Sequence, residues 1–413
     1  MLNFTIPKKL RGIAAMASEL GASLFRPISR KYDRAEHSYP VELDMLRAMI
    51  AGMDDGGQGV GAGGISGRRK PERAEGEGEG EDKDAPKIRN GRNMASVLNV
   101  EALSWGDLGL LLTIPGQGLG NAAIAAVGTP EQRARFKGKW AAMAITEPEA
   151  GSDSAAIRTT ARLEGDEWVL NGEKIYVTCG ERADLVVVWA SLDRSVGRAA
   201  IKSFVVERGA PGFRVARLEH KLGIRASDTA TLVFEDCRIP RENILGSEEI
   251  DVRKGFGGVM QTFDNTRPVV AAMALGVGRA ALEQTRALLA REGVKADYGR
   301  GRWDGSALEG ELYRLEAELE ASRLLTLKAA WMADNGRPNS REASMAKAKA
   351  GRTATEIALR CVELCGSVGY GEGQLLEKWA RDAKILDIFE GTQQIQLLII
   401  ARHLLKKSSR ELR

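Results

Sequence analysis

The stretch Trp168-Val-Leu-Asn-Gly-Glu-Lys-Ile-Tyr-Val-Thr178 is where the chain changes character. Up to Trp140 apolar residues recur with the spacing of helices, whereas from here they alternate with polar ones, the period of a half-buried strand. Asn171-Gly172 divides two such runs. An Asn-Gly pair suits a type I′ hairpin, so the stretch is read as two short strands around a turn. Further strand patterns at Leu185 to Ala190, Ser203 to Glu207, Phe213 to Arg217 and Thr231 to Cys237 give about seven strands between Ala141 and Gly246.

Helical periodicity flanks this region on both sides. Beyond it lie Phe256 to about Glu292, Leu308 to Asn335, Ser340 to Cys365 and Gln393 to Lys407. Before it come a helix ending near Arg26-Pro27, one from Pro40 to Ile50, one from Ala95 to Leu112 around Asp107, and one capped by Thr129 that runs to Trp140. Between Gly56 and Arg92 the chain is glycine, glutamate, lysine and arginine, with too few apolar residues to offset ordering entropy; a solvated insertion is expected.

With 413 residues, 43% of them hydrophobic, the chain has material for two or three domains. Its net charge of +4 is spread among almost as many acids as bases, which excludes a nucleic-acid stripe. No apolar run is long enough to span a membrane. The four cysteines are Cys179, Cys237, Cys361 and Cys365, and the last pair suits one helix face better than zinc; with only three histidines, a reduced cytoplasmic protein without a metal is expected. The basic start from Pro7 continues its helical pattern into Arg30, so it is read as structure and not as a cleaved presequence. Gly116-Gln-Gly-Leu-Gly120 follows a helix and lacks the downstream acid of a dinucleotide fingerprint.

One acid stands apart. Asp387-Ile-Phe-Glu-Gly-Thr-Gln-Gln-Ile-Gln396 places Glu390 in a loop that feeds a helix, with Thr392 as the expected N-cap. Backbone N–H groups around Gly391 lie at the positive end of that helix, where a developing oxyanion can be held. The loop thus offers a base and an electrophile together; the plainer alternative is an acid favoured near a helix start.

Asp382-Ala-Lys384 followed by Ile388-Phe-Glu-Gly-Thr-x-Gln394-Ile-Gln396 resembles the C-terminal signature of the acyl-CoA dehydrogenases. Met143-Ala-Ile-Thr-Glu-Pro-Glu-Ala-Gly-Ser-Asp153 is similar to their first signature, and Lys221 to Thr229 with Val233 to Gly246 to the second. The resemblance covers nearly the whole chain except the insertion and the segment from Val294 to Gly305. It implies an α+β multidomain fold: an N-terminal helical domain (1–140, with the insertion at about 56–92), a central β-barrel-like or orthogonal sheet domain (141–248) and a C-terminal four-helix bundle (249–413). It also implies an FAD-dependent enzyme that converts an acyl-CoA thioester to the trans-2-enoyl-CoA in fatty-acid or related acyl-CoA oxidation. Electrons would pass to an electron-transferring flavoprotein, and the chain would self-associate as a homotetramer or homodimer.

By the same resemblance Glu390 removes the α-proton. That proton is weakly acidic, so the base must be desolvated and the thioester carbonyl polarised. Met143, Ile145, Thr146, Gly151 and Ser152 are assigned to the cofactor, and Ser152 and Gly391 to the substrate. Tyr176 and Thr178, on one strand face, match the pair that covers the flavin ring. Thr392 and Gln394 agree with the FAD-binding end of the last signature, while Glu363 and Gly366 match an intersubunit pyrophosphate motif, with glutamate in place of glutamine. Asp264 and Thr266 are expected to face the thioester and Arg267 to support the Glu390 loop. Glu235 and Asp236 are read as turn-capping acids. Two departures stand out: Glu149 replaces a glycine beside the pyrophosphate, and Tyr298-Gly299 occupies the place of an Arg-x-x-Phe-Gly motif. Together with Glu363 they keep open a non-catalytic scaffold subunit; a flavin oxidase or monooxygenase of the same superfamily is the other alternative, and a glutamate at position 390 argues against it.

Overall fold

The computed structural model describes residues 6–46, 90–116, 118–250, 257–300, 304–408 and 411, with residues 9 and 257–265 described as backbone only. The insertion expected at 56–92, apart from its last residues, and the end of the helix expected from Pro40 lie outside the described residues; a helical turn is present at 43–46.

The chain opens with α1 (Lys8–Leu20), a π-helical turn (Gly21–Phe25) and α2 (Arg26–Arg34). The helix therefore does not end at Arg26-Pro27. Pro27 falls in the first turn of α2, where its missing N–H leaves nothing unsatisfied, and the π-turn resets the ladder just before it. After α3 (Arg92–Gly106), Asp107 takes an extended conformation and caps α4 (Leu108–Leu111), its carboxylate accepting from Leu110 N–H at 2.8 Å. The single helix expected over Ala95–Leu112 is thus two, because an N-cap interrupts an unbroken apolar period. Next come α5 (Leu119–Val127) and α6 (Pro130–Arg135). Thr129 and Gln132 form a reciprocal capping box on α6, but the helix stops at Arg135 and does not reach Trp140.

Seven strands follow: β1 (Ala141–Ala144), β2 (Thr160–Glu164), β3 (Glu167–Thr178), β4 (Leu185–Ser191), β5 (Ile201–Glu207), β6 (Phe213–Leu218) and β7 (Thr229–Pro240). They form one sheet in the order β1-β4-β2-β3-β7-β6, with β5 also paired to β4; β1 and β2 run parallel to β4 and the other pairs are antiparallel. Strand β4 is buried throughout because both of its faces are covered, Val186, Val188 and Ala190 by the inner sheet core and Leu185 and Val187 by α5 and β5.

The hairpin expected at Asn171-Gly172 is absent. Both residues lie within β3, and the turn is made earlier at Gly165, whose φ is 62°. Asn171 is held across the sheet, donating from Nδ2 to Asp236 Oδ1 (3.1 Å) and accepting from Asp236 N–H (2.9 Å). Gly172 sits so close to Thr159 that a Cβ would lie 2.4 Å from its Oγ1. The pair makes a bulge and not a reversal.

The chain closes with α7 (Gly257–Arg291), α8 (Ala307–Asp334), α9 (Ser340–Leu364), α10 (Gly366–Tyr370), α11 (Leu376–Ala383), a 3₁₀ turn (Lys384–Asp387) and α12 (Gln393–Leu405). Phe25, Leu103 and Leu108 from the first helices share one core with Val270, Trp331, Ile357 and Trp379 from the last. Among the described residues no helix is long and apolar enough to cross a membrane.

Candidate active site

Glu390 occupies the loop between the 3₁₀ turn and α12, and its backbone is left-handed, with φ of 52°. A non-glycine residue pays for that conformation, so the surrounding structure must hold it. Gly391 follows at φ 96°, where a Cβ would lie 2.4 Å from Gln396 Nε2. That amide, fully buried on α12, reaches back to donate to the carbonyls of Glu390 (3.2 Å) and Gly391 (3.1 Å). Lys347 on α9 donates to the Gly391 carbonyl at 2.7 Å, and Gln393 to the Ala348 carbonyl at 3.1 Å. Thr392 is the N-cap of α12, as its sequence context suggested.

The carboxyl itself is in a demanding place. Glu390 Oε2 is buried without a hydrogen-bond partner, and burial pushes the group above the ordinary carboxylate range; a hydrogen bond from Thr266 and the charges of Lys347 and Arg267 oppose the shift. Thr266 and Arg267 are themselves buried on α7, one turn of helix that also contains Pro268. Burial pushes the Lys347 ammonium down to about 8, against Asp387 and Glu390. The structure thus brings Glu390, Gly391, Thr392, Thr266 and Arg267 together, and the side chain of Asp264 lies outside the described residues.

A second group sits on the sheet. Met143 lies on β1, and the chain leaves that strand through Ile145 and Thr146 into a tight turn in which Glu147 and Ala150 exchange backbone hydrogen bonds. Beneath it the buried Glu147 accepts from Lys174 Nζ (2.6 Å), Thr159 Oγ1 (2.6 Å) and Thr159 N–H (3.0 Å), while Lys174 also donates to the Ile145 carbonyl (3.2 Å). This buried ion pair fixes a turn whose tip, Gly151 and Ser152, is exposed. Glu149 points to solvent and pairs with Arg158 at 2.5 Å, so its charge is compensated away from the turn. The backbone N–H of Ile175 bonds the Thr146 carbonyl (2.9 Å) and brings β3 alongside. A bulge between Lys174 and Val177 gives Tyr176 φ of 57° and leaves it 63% exposed, next to half-buried Thr178. The strand face expected to carry both residues thus falls at a bulge and not on a regular pleat.

The third group is peripheral. Glu363 is exposed and paired with Arg360, Gly366 opens α10 on the surface, and Gln394 is exposed on α12. Asp236, with φ of 47°, serves the β3–β7 bulge, and Glu235 pairs with Arg214 at 3.4 Å. Tyr298 gives its hydroxyl to Glu316. Lys347, Lys174, Glu147 and Gln396 were not foreseen as site residues. A lysine is ordinarily exposed, and only its place on an otherwise apolar helix face, as with Lys347 between Ala343, Ala346 and Ala350, signals burial.

Comparison with known proteins shows the family. The family model "Acyl-CoA dehydrogenase, middle domain" matches residues 142–237 and "Acyl-CoA dehydrogenase, C-terminal domain" residues 253–405. The short-chain-specific acyl-CoA dehydrogenase of Clostridium acetobutylicum is 38% identical over 319 residues, covering 75% of this chain and 82% of that protein. Butyryl-CoA dehydrogenase from Megasphaera elsdenii superimposes with a TM-score of 0.81 at 30% identity, covering 98% of this chain and 100% of the other. A chain from a structural study of the electron transferring flavoprotein of Acidaminococcus fermentans gives a TM-score of 0.82 at 32% identity, with 98% and 100% covered. The chain belongs to the acyl-CoA dehydrogenase family.

Proposed function

We propose that this family member oxidises a short-chain acyl-CoA thioester to the trans-2-enoyl-CoA, with Glu390 as the base that takes the α-proton. The observation that carries the proposal is the buried, unpartnered Oε2 of Glu390 in a left-handed loop at a helix N-terminus. Desolvation raises the proton affinity of that oxygen, so it can accept a weakly acidic proton. Arg267 and Lys347 keep enough positive charge nearby for the carboxylate to form. Gln396 and Lys347 hold the loop by its carbonyls, which leaves the backbone N–H groups around Gly391 free to face a substrate oxygen at the positive end of α12.

FAD is the cofactor in this reading, and when bound it supplies the acceptor for the β-hydrogen. The residues present fit such a group. The ring of Tyr176 stands exposed beside Thr178, and Gly151 and Ser152 stand exposed at the tip of the turn after β1, where a phosphate can approach the backbone. Met143, Ile145, Thr146 and Ser152 would line the same edge, with Thr392 and Gln394 at the far end, and Glu363 and Gly366 would serve a neighbouring copy. Exposed Leu397, Leu398, Leu404 and Leu405 on α12, with Val368 and Tyr370, support self-association as a dimer or tetramer. Electrons would leave through an electron-transferring flavoprotein, and the unpaired cysteines are in keeping with the cytoplasm.

The test is product analysis across acyl-CoAs of increasing length with an artificial electron acceptor. Formation of the trans-2-enoyl-CoA, fastest with short chains, is expected. Hydrogen peroxide produced without the acceptor would point to an oxidase, and no product from any thioester would point to the scaffold. Tyr176→Ala is expected to weaken flavin retention while leaving the melting midpoint of the flavin-free protein nearly unchanged, since the ring is exposed and both residues are non-glycine at that φ.

A further inference from the structure

Away from that site, the chain brings two of its three histidines together from distant places. Glu36 and His37 follow α2, and His220 follows β6, so the meeting point lies where the N-terminal helices rest on the sheet. One ligand atom from each of Glu36, His37 and His220 lies within 4.8 Å of the other two. His220 Nδ1 is 2.9 Å from Glu36 Oε2, and the two imidazoles converge with centroids 5.0 Å apart and planes inclined by 59°. We propose that Glu36, His37 and His220 form a binding site for a borderline divalent transition-metal ion such as Zn²⁺, a two-nitrogen, one-oxygen set with a fourth position open to water.

Three features point to a ligand and not to an incidental cluster. Both ring nitrogens of His37 are buried with no hydrogen-bond partner, an unfavourable state for an imidazole that ligation would relieve. The His37 backbone is held in the left-handed region, φ 67°, by bonds that do not involve its ring: its N–H meets the Arg225 carbonyl at 3.5 Å and its carbonyl accepts from Arg182 at 3.0 Å. The second oxygen of Glu36 accepts from Lys221 N–H at 2.9 Å, the outer contact that orients a ligating carboxylate, while the Lys221 ammonium is directed to the Ser227 carbonyl at 2.8 Å. The sequence expectation of no metal rests on local ligand spacing, and this set, with Glu36 and His220 184 positions apart, matches none.

Equilibrium dialysis of the full-length, tag-free, chelator-treated flavoprotein against Zn²⁺, with bound metal counted by atomic emission, tests the site. Saturable binding of one ion per chain is expected, with a rise in melting midpoint. His37→Asn, which tolerates the left-handed backbone, and His220→Asn, at an exposed position, should each weaken binding at least about tenfold. His403→Asn on α12 should leave it unchanged. No saturable binding, or binding that persists unaltered in His37→Asn and His220→Asn, would overturn the proposal and leave Glu36 and His220 as an ordinary hydrogen-bonded pair.

Discussion

Glu390→Gln should lower turnover by about 10²–10⁴-fold, the usual consequence of losing a general base, while the flavin stays bound and the protein becomes more stable at neutral pH. The glutamine keeps the shape of the loop, because the groups that hold it are the Glu390 and Gly391 carbonyls and not the carboxyl. The stability gain follows from the raised carboxyl. A group whose folded value exceeds its unfolded one favours the fold fully below the unfolded value and loses that favour as pH rises through the folded one. The ionised form is thus the one the fold disfavours, and glutamine never takes it. The gain in melting midpoint should be larger at about pH 8 than at about pH 5. In the native enzyme the acid limb of kcat/KM should lie above the range of a free glutamate, since only the carboxylate accepts the proton. A variant that turns over at the native rate would remove Glu390 from the chemistry, and a midpoint difference independent of pH would remove the electrostatic explanation.

Lys378→Met should cost about 3–5 kcal/mol of stability, the range for stripping one partner from a buried charge network. Lys378 on α11 is 1% exposed and donates to Asp107 Oδ2 at 2.7 Å and to Asp382. Burial alone would lower its ammonium, but Asp107 and Asp382 outweigh that and hold it above its ordinary value. Asp107 also accepts from Ser29 on α2 and caps α4, and Asp382 accepts from the Ile224 N–H at 2.5 Å. One ammonium thus joins the N-terminal helices, the strap after β6 and the helix that leads into the Glu390 loop. Methionine would leave two buried carboxylates without their shared cation, and Asp382, already raised by burial, should recover part of the lost stability as the pH falls. Replacing both acids by asparagine in the same variant should restore much of the loss. A destabilisation below about 1 kcal/mol by chemical denaturation would show that the network is not a keystone.

Periodicity was a sound guide where one local rule acted alone. It placed the strands of the sheet and the four long C-terminal helices, and the Thr129 and Thr392 caps behave as their side chains suggest. It misread places where a long-range contact overrides a local preference. Asn171-Gly172 has the chemistry of a turn, but cross-strand bonds to Asp236 and the closeness of Thr159 make it a bulge. Asp107 interrupts an apolar run that reads as one helix, because Lys378, from 271 positions away, fixes its carboxylate. Short α11 was not anticipated, since its polar residues are buried in that same network. The Glu390 loop and the turn after β1 were legible through their motifs, whereas their supports were not: Lys347 under the first and Lys174 under the second are lysines with no accessible surface, and their partners, Gly391 and Glu147, lie far off in sequence. Burial of a charge is decided by what meets it in space, and a local pattern carries no record of that.

The most direct measurement is anaerobic mixing of the purified flavoprotein with butyryl-CoA, following the visible flavin band in the native protein and in Glu390→Gln. The native flavin should bleach within a turnover, and the variant should keep a bound, oxidised flavin over the same time. Bleaching at equal rates in the two proteins would contradict Glu390 as the base, and a native flavin that no short-chain acyl-CoA reduces would contradict the proposed reaction itself.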